Sequence, residues 1–326
     1  MKAEILKILK KAEGYVSGQQ LCEQLGVSRT AVWKAIRQLE EEGYVIEAVR
    51  NKGYRLVEDA DVLTVAELRS VLDTKWLGQE VDYFYETDST NNRARDAAEK
   101  GASHGYLAVA DSQTAGKGRR GRVWNSPHGT DIFMSFLMRP SFGPSQASML
   151  TLVAGMAVVK GVQKATGLNA MIKWPNDAVV NGKKICGILT EMSTEEDTIR
   201  YVVVGIGINV NAREFPEEIR DKATSLKLEL GRSVKRSEII RSVAESFEEY
   251  YAVYEKTCDM SGLQAAYNEM LANMDKEVCV LDPRGEYRGK ALGIDEEGCL
   301  LVEKENGELI HVLSGEVSVR GIYGYV

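Results

Sequence analysis

The densest chemistry in this 326-residue chain lies at Gly116-Lys117-Gly118-Arg119-Arg120-Gly121-Arg122, where three glycines and four cations fill seven positions. Glycine reaches positive φ and lets successive backbone N–H groups wrap an anion. Arginine adds planar forks that match phosphate and carboxylate. With like charges crowded together and nothing apolar before Trp124, the loop is expected to lack fixed structure when empty. Taken alone, the run also fits a solvated basic loop. Gly116, Gly118 and Gly121 match a dinucleotide-loop spacing, but Val123-Trp124-Asn125-Ser126-Pro127 does not start the helix that such a motif needs. No Gly-Lys-Ser/Thr follows, so a Walker A loop is excluded.

Three further segments carry groups that could meet a ligand. Lys173-Trp174-Pro175-Asn176-Asp177 contains ordinary turn chemistry. It is followed by Gly182-Lys183-Lys184 and the apolar run from Ile185 to Leu189, which puts the Lys184 ammonium at the end of a buried strand. Asp88-Ser89-Thr90-Asn91 reads as an N-cap for a helix from Asn92, and its hydroxyls and amide could also face a neutral, polar-headed ligand. Val204-Gly205-Ile206-Gly207-Ile208-Asn209-Val210-Asn211 reads as a strand with glycines where something approaches closely.

The elements around these segments divide the chain in three. Residues 1–62 read as helix, helix, helix and hairpin, the winged helix-turn-helix order. Ile5, Ile8, Leu9 and Ala12 mark one helical face. Ser17 with Gln20 forms a capping box and Gly26 ends the second helix. Ser28 caps a third helix that buries Val32, Ile36 and Leu39. Ser28, Arg29, Thr30, Lys34 and Arg37, in a helix-turn-helix at about 18–37, are then the candidate DNA-binding residues, with Arg50, Lys52 and Arg55 charging the wing. Trp33 fits either surface or core. Val57 to Asp61 reads as a polar linker. Residues 63–273 mix strands and helices without strict alternation, so α+β is preferred over a doubly wound sheet. Residues 274–326 read as five short strands separated by turns, a small all-β barrel.

Composition narrows the function classes. The apolar run from Met149 to Val159 is too short to span a bilayer and reads as a buried helix. No signal-peptide core follows Met1, so a cytoplasmic protein is expected. Five single cysteines and three scattered histidines give neither a disulfide frame nor a protein-bound metal centre. Net charge is −7, yet residues through Asp59 hold ten Lys/Arg against nine Asp/Glu, while the remainder holds 31 against 39. A slightly basic head on an acidic body permits nucleic-acid binding by the head alone.

Gly-Lys-Gly-Arg-Arg-Gly-Arg-Val-Trp resembles the signature of biotin–protein ligases, with Lys117 where arginine is usual. Lys-Trp-Pro-Asn-Asp followed by Lys184-x-x-Gly-Ile-Leu resembles their second signature. With the head domain, the resemblance covers nearly the whole chain and is closest to the bifunctional ligases that also repress biotin genes. It implies a winged helix, a ligase domain and a C-terminal SH3-like barrel. It implies that biotin attacks the ATP α-phosphate, with Mg²⁺ carried by the nucleotide, and that the adenylate then acylates a lysine of biotin carboxyl carrier protein. Catalysis falls to Lys184, Arg119 and Asp177, the last orienting or deprotonating the acceptor lysine. Biotin contacts fall to Ser89, Thr90 and Asn91 at the ureido end, and to Gln113, Lys117, Gly118, Arg119 and Lys184. Arg120, Arg122, Trp124, Asn176 and Asn209 would meet ATP or the adenylate, with Phe215 covering the nucleotide. The implied partners are the carrier protein, operator DNA and a second copy of the chain once the adenylate is bound. A lipoate–protein ligase and a non-enzymatic biotin sensor are the alternatives.

Overall fold

The computed structural model describes residues 1–58, 60–196, 198–282, 285–313 and 318–321. Asp59 of the expected linker, Pro283 and Arg284 of one expected turn, and Val317 of the last expected strand lie outside the described residues. The chain forms two compact units, one of residues 1–73 with 235–241, the other of 74–234 with 242–326.

The first unit opens with α1 (Lys2–Lys11), α2 (Gly18–Leu25) and α3 (Arg29–Glu41), followed by the hairpin β1 (Val45–Val49) and β2 (Gly53–Glu58) and by α4 (Val65–Val71). Local signals set these boundaries. The Ser17 and Gln20 side chains form the reciprocal capping box of α2, Gly26 takes φ 64° at its end, and the Ser28 hydroxyl accepts the Ala31 N–H at the start of α3. Ile5, Leu6, Leu9, Leu21, Val32, Ile36 and Leu39 form its core, with Ile8, Ala12 and Leu25 packed around them. Trp33 is exposed. The segment read as a linker is fastened: Val57 and Glu58 belong to β2, and the Asp61 carboxylate accepts from Arg236 N and Nε at 2.8 and 2.9 Å.

The second unit is built on β3 (Val81–Thr87), α5 (Thr90–Glu99), β4 (Leu107–Gln113), β5 (Ile132–Met138), α6 (Pro144–Ala147), α7 (Leu150–Thr166), β6 (Ala170–Lys173), β7 (Asp177–Val180), β8 (Lys183–Glu195), β9 (Thr198–Ile208), α8 (Leu226–Leu230), α9 (Arg236–Thr257, from Ser242 onward) and α10 (Gln264–Met270). Its seven-stranded sheet runs β3-β4-β5-β9-β8-β7-β6, with β3 and β4 parallel and the other neighbours antiparallel. This is the mixed sheet expected of an α+β ligase domain. The unbroken run Ile132–Met138 is buried at every position, as suits a strand covered on both faces. The apolar helix α7 is spent on the core: Gly161 lets α9 approach so closely that a Cβ there would sit 2.7 Å from Val243 N. The helix expected from Asn92 opens two residues earlier, at Thr90 with Ser89 as its N-cap residue.

The chain ends in β10 (Glu277–Leu281), β11 (Tyr287–Ile294), β12 (Leu300–Glu303), β13 (Leu309–Val312) and β14 (Ser318–Gly321), in the order β13-β12-β11-β10-β14. Each neighbouring pair is antiparallel, and among the described residues β13 and β14 are the outer strands.

Candidate functional site

The last residues of β4 and β9, the start of β7, β8 from Lys184 to Glu191 and the start of α5 surround a cavity of about 850 Å³. Every residue singled out above for ligand contact or catalysis lines it: Ser89, Thr90, Asn91, Gln113, Lys117, Gly118, Arg119, Arg120, Arg122, Trp124, Asn176, Asp177, Lys184 and Asn209. The cavity is polarised. One end is built mainly from uncharged donors and acceptors, with the Glu191 carboxylate beside Asn91, and the other gathers the cations around Asp177.

At the uncharged end, Ser89 caps α5 by position but its side chain makes no capping bond. The Thr90 N–H donates to Gln113 Oε1 at 2.8 Å, and Gln113 Nε2 donates to Ser126 Oγ at 3.1 Å. Ser135 Oγ reaches Thr90 Oγ1 at 2.8 Å and Asn91 Oδ1 at 2.6 Å, and Asn91 Nδ2 donates to Glu191 Oε2 at 2.7 Å. These ties fix the rotamers of Thr90, Asn91 and Gln113 before anything binds. Gly205 is what admits Asn91, because a Cβ there would overlap its amide.

At the cationic end, Lys184 Nζ lies 2.5 Å from Asp177 Oδ1 and 5.2 Å from the centroid of the Trp124 ring. Trp124 packs flat against backbone. A Cβ on Gly207 would come within 2.7 Å of its indole, and one on Gly187 within 2.8 Å. Arg119 Nη1 donates to Asn176 Oδ1 at 3.1 Å, and Asn176 Nδ2 to Ile188 O at 3.0 Å. Burial draws the Arg119 guanidinium below its usual range, the Asp177 charge opposes that shift, and Arg120 and Arg122 add to it. Lys173 and Trp174 are buried beside them, and the Trp174–Pro175 peptide is cis.

The basic loop follows a defined backbone path. Trp124 N bonds Gly116 O at 2.9 Å, Gly118 N bonds Arg122 O at 2.7 Å, and Lys117 bridges Val123. A turn at Arg119–Gly121 uses positive φ at Arg120 and Gly121. Backbone pairing and the Arg119–Asn176 bond outweigh a repulsion that solvent screens at the exposed Arg120 and Arg122.

Asn209 faces the cavity and also ties down its rim: Nδ2 donates to Thr224 O at 3.1 Å. The backbone of Lys184 pairs with Lys222 and Thr224, so the 211–225 loop leans on the strand that carries the lysine. Phe215 lies on the cavity wall, together with Pro216 and Ile219. Cys186 is fully buried, and burial pushes its thiol up, as befits core.

On the head, Ser28, Arg29, Thr30, Lys34 and Arg37 are all exposed. Arg29 donates to Gln19, and Arg37 pairs with Glu40 and lies over the Trp33 ring. A shallow groove runs between the start of α2, Arg29 and the wing residues Arg50 and Lys52. Arg55 contributes less to it than expected, because its guanidinium pairs with Glu47 at 2.7 Å and stacks on Tyr15.

Comparison with known proteins matches residues 83–209 to the Biotin/lipoate A/B protein ligase family, 2–55 to an HTH domain and 274–320 to the Biotin protein ligase C terminal domain. The bifunctional ligase/repressor BirA of Bacillus subtilis is 41% identical over 310 residues, covering 94% of this chain and 95% of its own. The chain belongs to the bifunctional biotin ligase/repressor family. The BirA protein of Escherichia coli is 29% identical over 317 residues, 97% of this chain and 96% of its own. A solved structure, biotin protein ligase from Aquifex aeolicus in complex with biotin and ATP, superposes with a TM-score of 0.66 at 35% identity, covering 74% of this chain and all but 1% of its own.

Two residues that hold Asn91 in place, Ser135 behind the cavity wall and Glu191 on it, escaped the sequence reading. Ser135 was visible as the single polar residue in an apolar strand, and Glu191 as an acid at the end of the Gly-Ile-Leu run. Neither motif nor local periodicity says that both converge on Asn91.

Proposed function

We propose that this protein joins biotin to a lysine of a biotin carboxyl carrier protein through biotinyl-5′-AMP, and represses biotin synthesis or uptake genes when that adenylate accumulates. The observation that carries the reading is the polarity of the cavity. Its uncharged end suits a ureido ring, which needs both donors and acceptors. Its cationic end gathers Lys184, Arg119 and Asn176 around the point where a carboxylate would meet a phosphate.

In this reading Ser89, Thr90, Asn91 and Gln113 hold the ureido group. Lys117, Gly118 and Arg119 close over biotin, and Lys184 bridges its carboxylate and the α-phosphate. Charge develops there as the acyl–phosphate bond forms and pyrophosphate leaves. A cation already fixed by Asp177 meets that charge without reorganising. Arg120, Arg122, Trp124 and Asn209 take the nucleotide, and Mg²⁺ arrives with ATP. The acceptor ε-amine then attacks the acyl carbon and AMP departs. Asp177, within reach of the same junction, orients or deprotonates that amine. No covalent nucleophile is needed.

The exposed face of α3 and the wing would contact operator DNA through Ser28, Arg29, Thr30, Lys34 and Arg37, as a homodimer formed on adenylate binding. The division 1–62, 63–273 and 274–326, closure of the last five strands as an SH3-like barrel, and a cytoplasmic location complete the proposal. The test is incubation of the full chain with ATP, a carrier domain and either biotin or lipoate, read by the mass of the carrier. A biotinoyl gain with biotin alone is expected. A gain only with lipoate, or none, would overturn the reading.

A further inference from the structure

The far end of the basic loop carries contacts that the cavity does not use. His128 Nδ1 lies 3.2 Å from Asp111 Oδ2, and its Nε2 lies 3.0 Å from Ser112 Oγ and 3.3 Å from Glu86 Oε2. The ring stacks on Tyr85 with centroids 4.5 Å apart and an interplanar angle of 25°. Asp111 Oδ2 also accepts the Gly129 N–H at 2.9 Å. Nδ1 thus faces one carboxylate, while Nε2 faces both a hydroxyl and the Glu86 carboxylate.

These bonds sit where the loop leaves and rejoins the sheet. Asp111 and Ser112 immediately precede Gln113, which bonds Thr90 on one side and Ser126 on the other. The chain therefore departs at Gln113 and returns at His128, and its two ends are tied twice, by Gln113–Ser126 beside the cavity and by His128–Asp111 behind it. Asp111 is nearly buried on β4 and gives the tie a rigid anchor.

We propose that His128 and Asp111 form a latch that holds the neck of the basic loop closed, a positioning pair for retention of the acyl adenylate. The proposal rests on the ligase reading. The loop contributes Lys117, Arg119, Arg122 and Trp124 to the cavity, and every ligand contact they make requires the loop to be ordered. Tying its ends shrinks the set of conformations to be given up on binding, so the latch acts on ligand residence without touching the reacting atoms.

The test uses the full-length protein and His128→Ala, His128→Asn, Asp111→Asn and the double variant His128→Ala/Asp111→Asn. Each is loaded with radiolabelled biotin and ATP, chased with excess unlabelled biotin, and followed for loss of labelled adenylate. Losing one such hydrogen bond should speed release about three- to tenfold in His128→Ala and in Asp111→Asn. The double variant should be no faster than the faster single, because both remove the same tie. His128→Asn, which keeps a polar group near Nδ1, should recover most of the retention. KM for biotin should rise in His128→Ala while kcat with saturating substrates stays within about twofold. Unchanged release in the single variants, or additive effects in the double, would overturn the latch alone. A wild-type protein that forms no labelled adenylate would overturn the ligase reading and the latch with it.

Discussion

Lys184 stands between one carboxylate and one indole face, and this pairing decides what its removal should do. Asp177 is almost wholly buried and aims the ammonium at the cavity, while Trp124 covers it from the side. Lys184→Ala takes away the fixed cation and leaves the Asp177 charge facing the place where more negative charge must develop. Biotin-dependent ATP–pyrophosphate exchange should therefore fall by about 10²–10³, the range found when one preorganised electrostatic donor is deleted. A variant with the wild-type exchange rate would remove Lys184 from the catalytic assignment. Lys117 is a milder case. It is exposed, and its backbone bridges Val123, so its side chain is free to reach a ligand only from the loop's outer strand. Arginine there would restore a bidentate fork without altering the backbone pairing. Lys117→Arg should retain the adenylate as long as the wild type or longer, in the same chase experiment; faster loss would contradict this account of the loop. The cationic half of the cavity was legible in sequence because its residues fall in two short motifs, 116–124 and 173–184. The uncharged half was only half legible: Thr90 and Asn91 stood out, but the groups that orient them, Ser135 and Glu191, come from other strands and are joined only by register.

At the level of elements, the glycines of β8 and β9 explain why two central strands form the cavity floor. Gly187 and Gly207 face each other in the ladder, and together they leave the space that Trp124 fills. The sequence signalled a close approach at Gly207 but not at Gly187, and the approaching group lies more than eighty residues before Gly207 in the chain. A second junction is set by α9, whose Glu248 carboxylate accepts the N–H groups of Lys75, Trp76 and Leu77 at 2.7 to 2.9 Å. Against it pack Trp76, His104 and Tyr251, with the Arg139 N–H donating to His104 Nδ1. Burial draws His104 below its usual 6.5, against an opposing pull from Glu255. The unfolded chain therefore takes up this proton more readily than the native one. His104 contributes stability above pH 6.5 that is lost as pH falls through its lower native value. His104→Asn keeps an acceptor for the Arg139 N–H but does not titrate, so its melting temperature should decline less than the wild type's between neutral pH and about pH 5. Parallel melting curves would refute the assignment. No sequence signal marked this contact, since an isolated histidine carries no periodicity.

At the level of the whole molecule, the first unit is not the helix-turn-helix alone. It includes α4 and residues 235–241, and the side chain that joins them is Glu67. This carboxylate is fully buried, accepts from Lys10 at 2.7 Å, Tyr44 at 2.8 Å and Ser237 at 2.7 Å, and pairs with Lys235 at 3.0 Å. Burial alone would raise its pKa, but Lys10, Lys235 and Ser237 outweigh that and hold it below the usual carboxylate range. Its contribution is thus present at neutral pH and lost in acid, below the ordinary glutamate value. The sequence could not reveal it, because its partners span more than two hundred residues and each looks like a surface polar group. Glu67→Gln leaves two ammonium groups against a neutral amide, and breaking such a buried pair costs about 3–5 kcal/mol. That cost falls on the unit carrying α3 and the wing, whereas every proposed ligase residue belongs to the other unit. The two activities should therefore separate. In a gel shift on the promoter of biotin genes at low salt, the wild type should retard DNA when biotin and ATP are both present and much less without them. Glu67→Gln should lose that retardation while still biotinylating the carrier domain. Loss of both activities together would mean that Glu67 supports the whole chain rather than the head. Wild-type retardation indifferent to biotin and ATP would leave the ligase in place and end the case for an adenylate-controlled repressor.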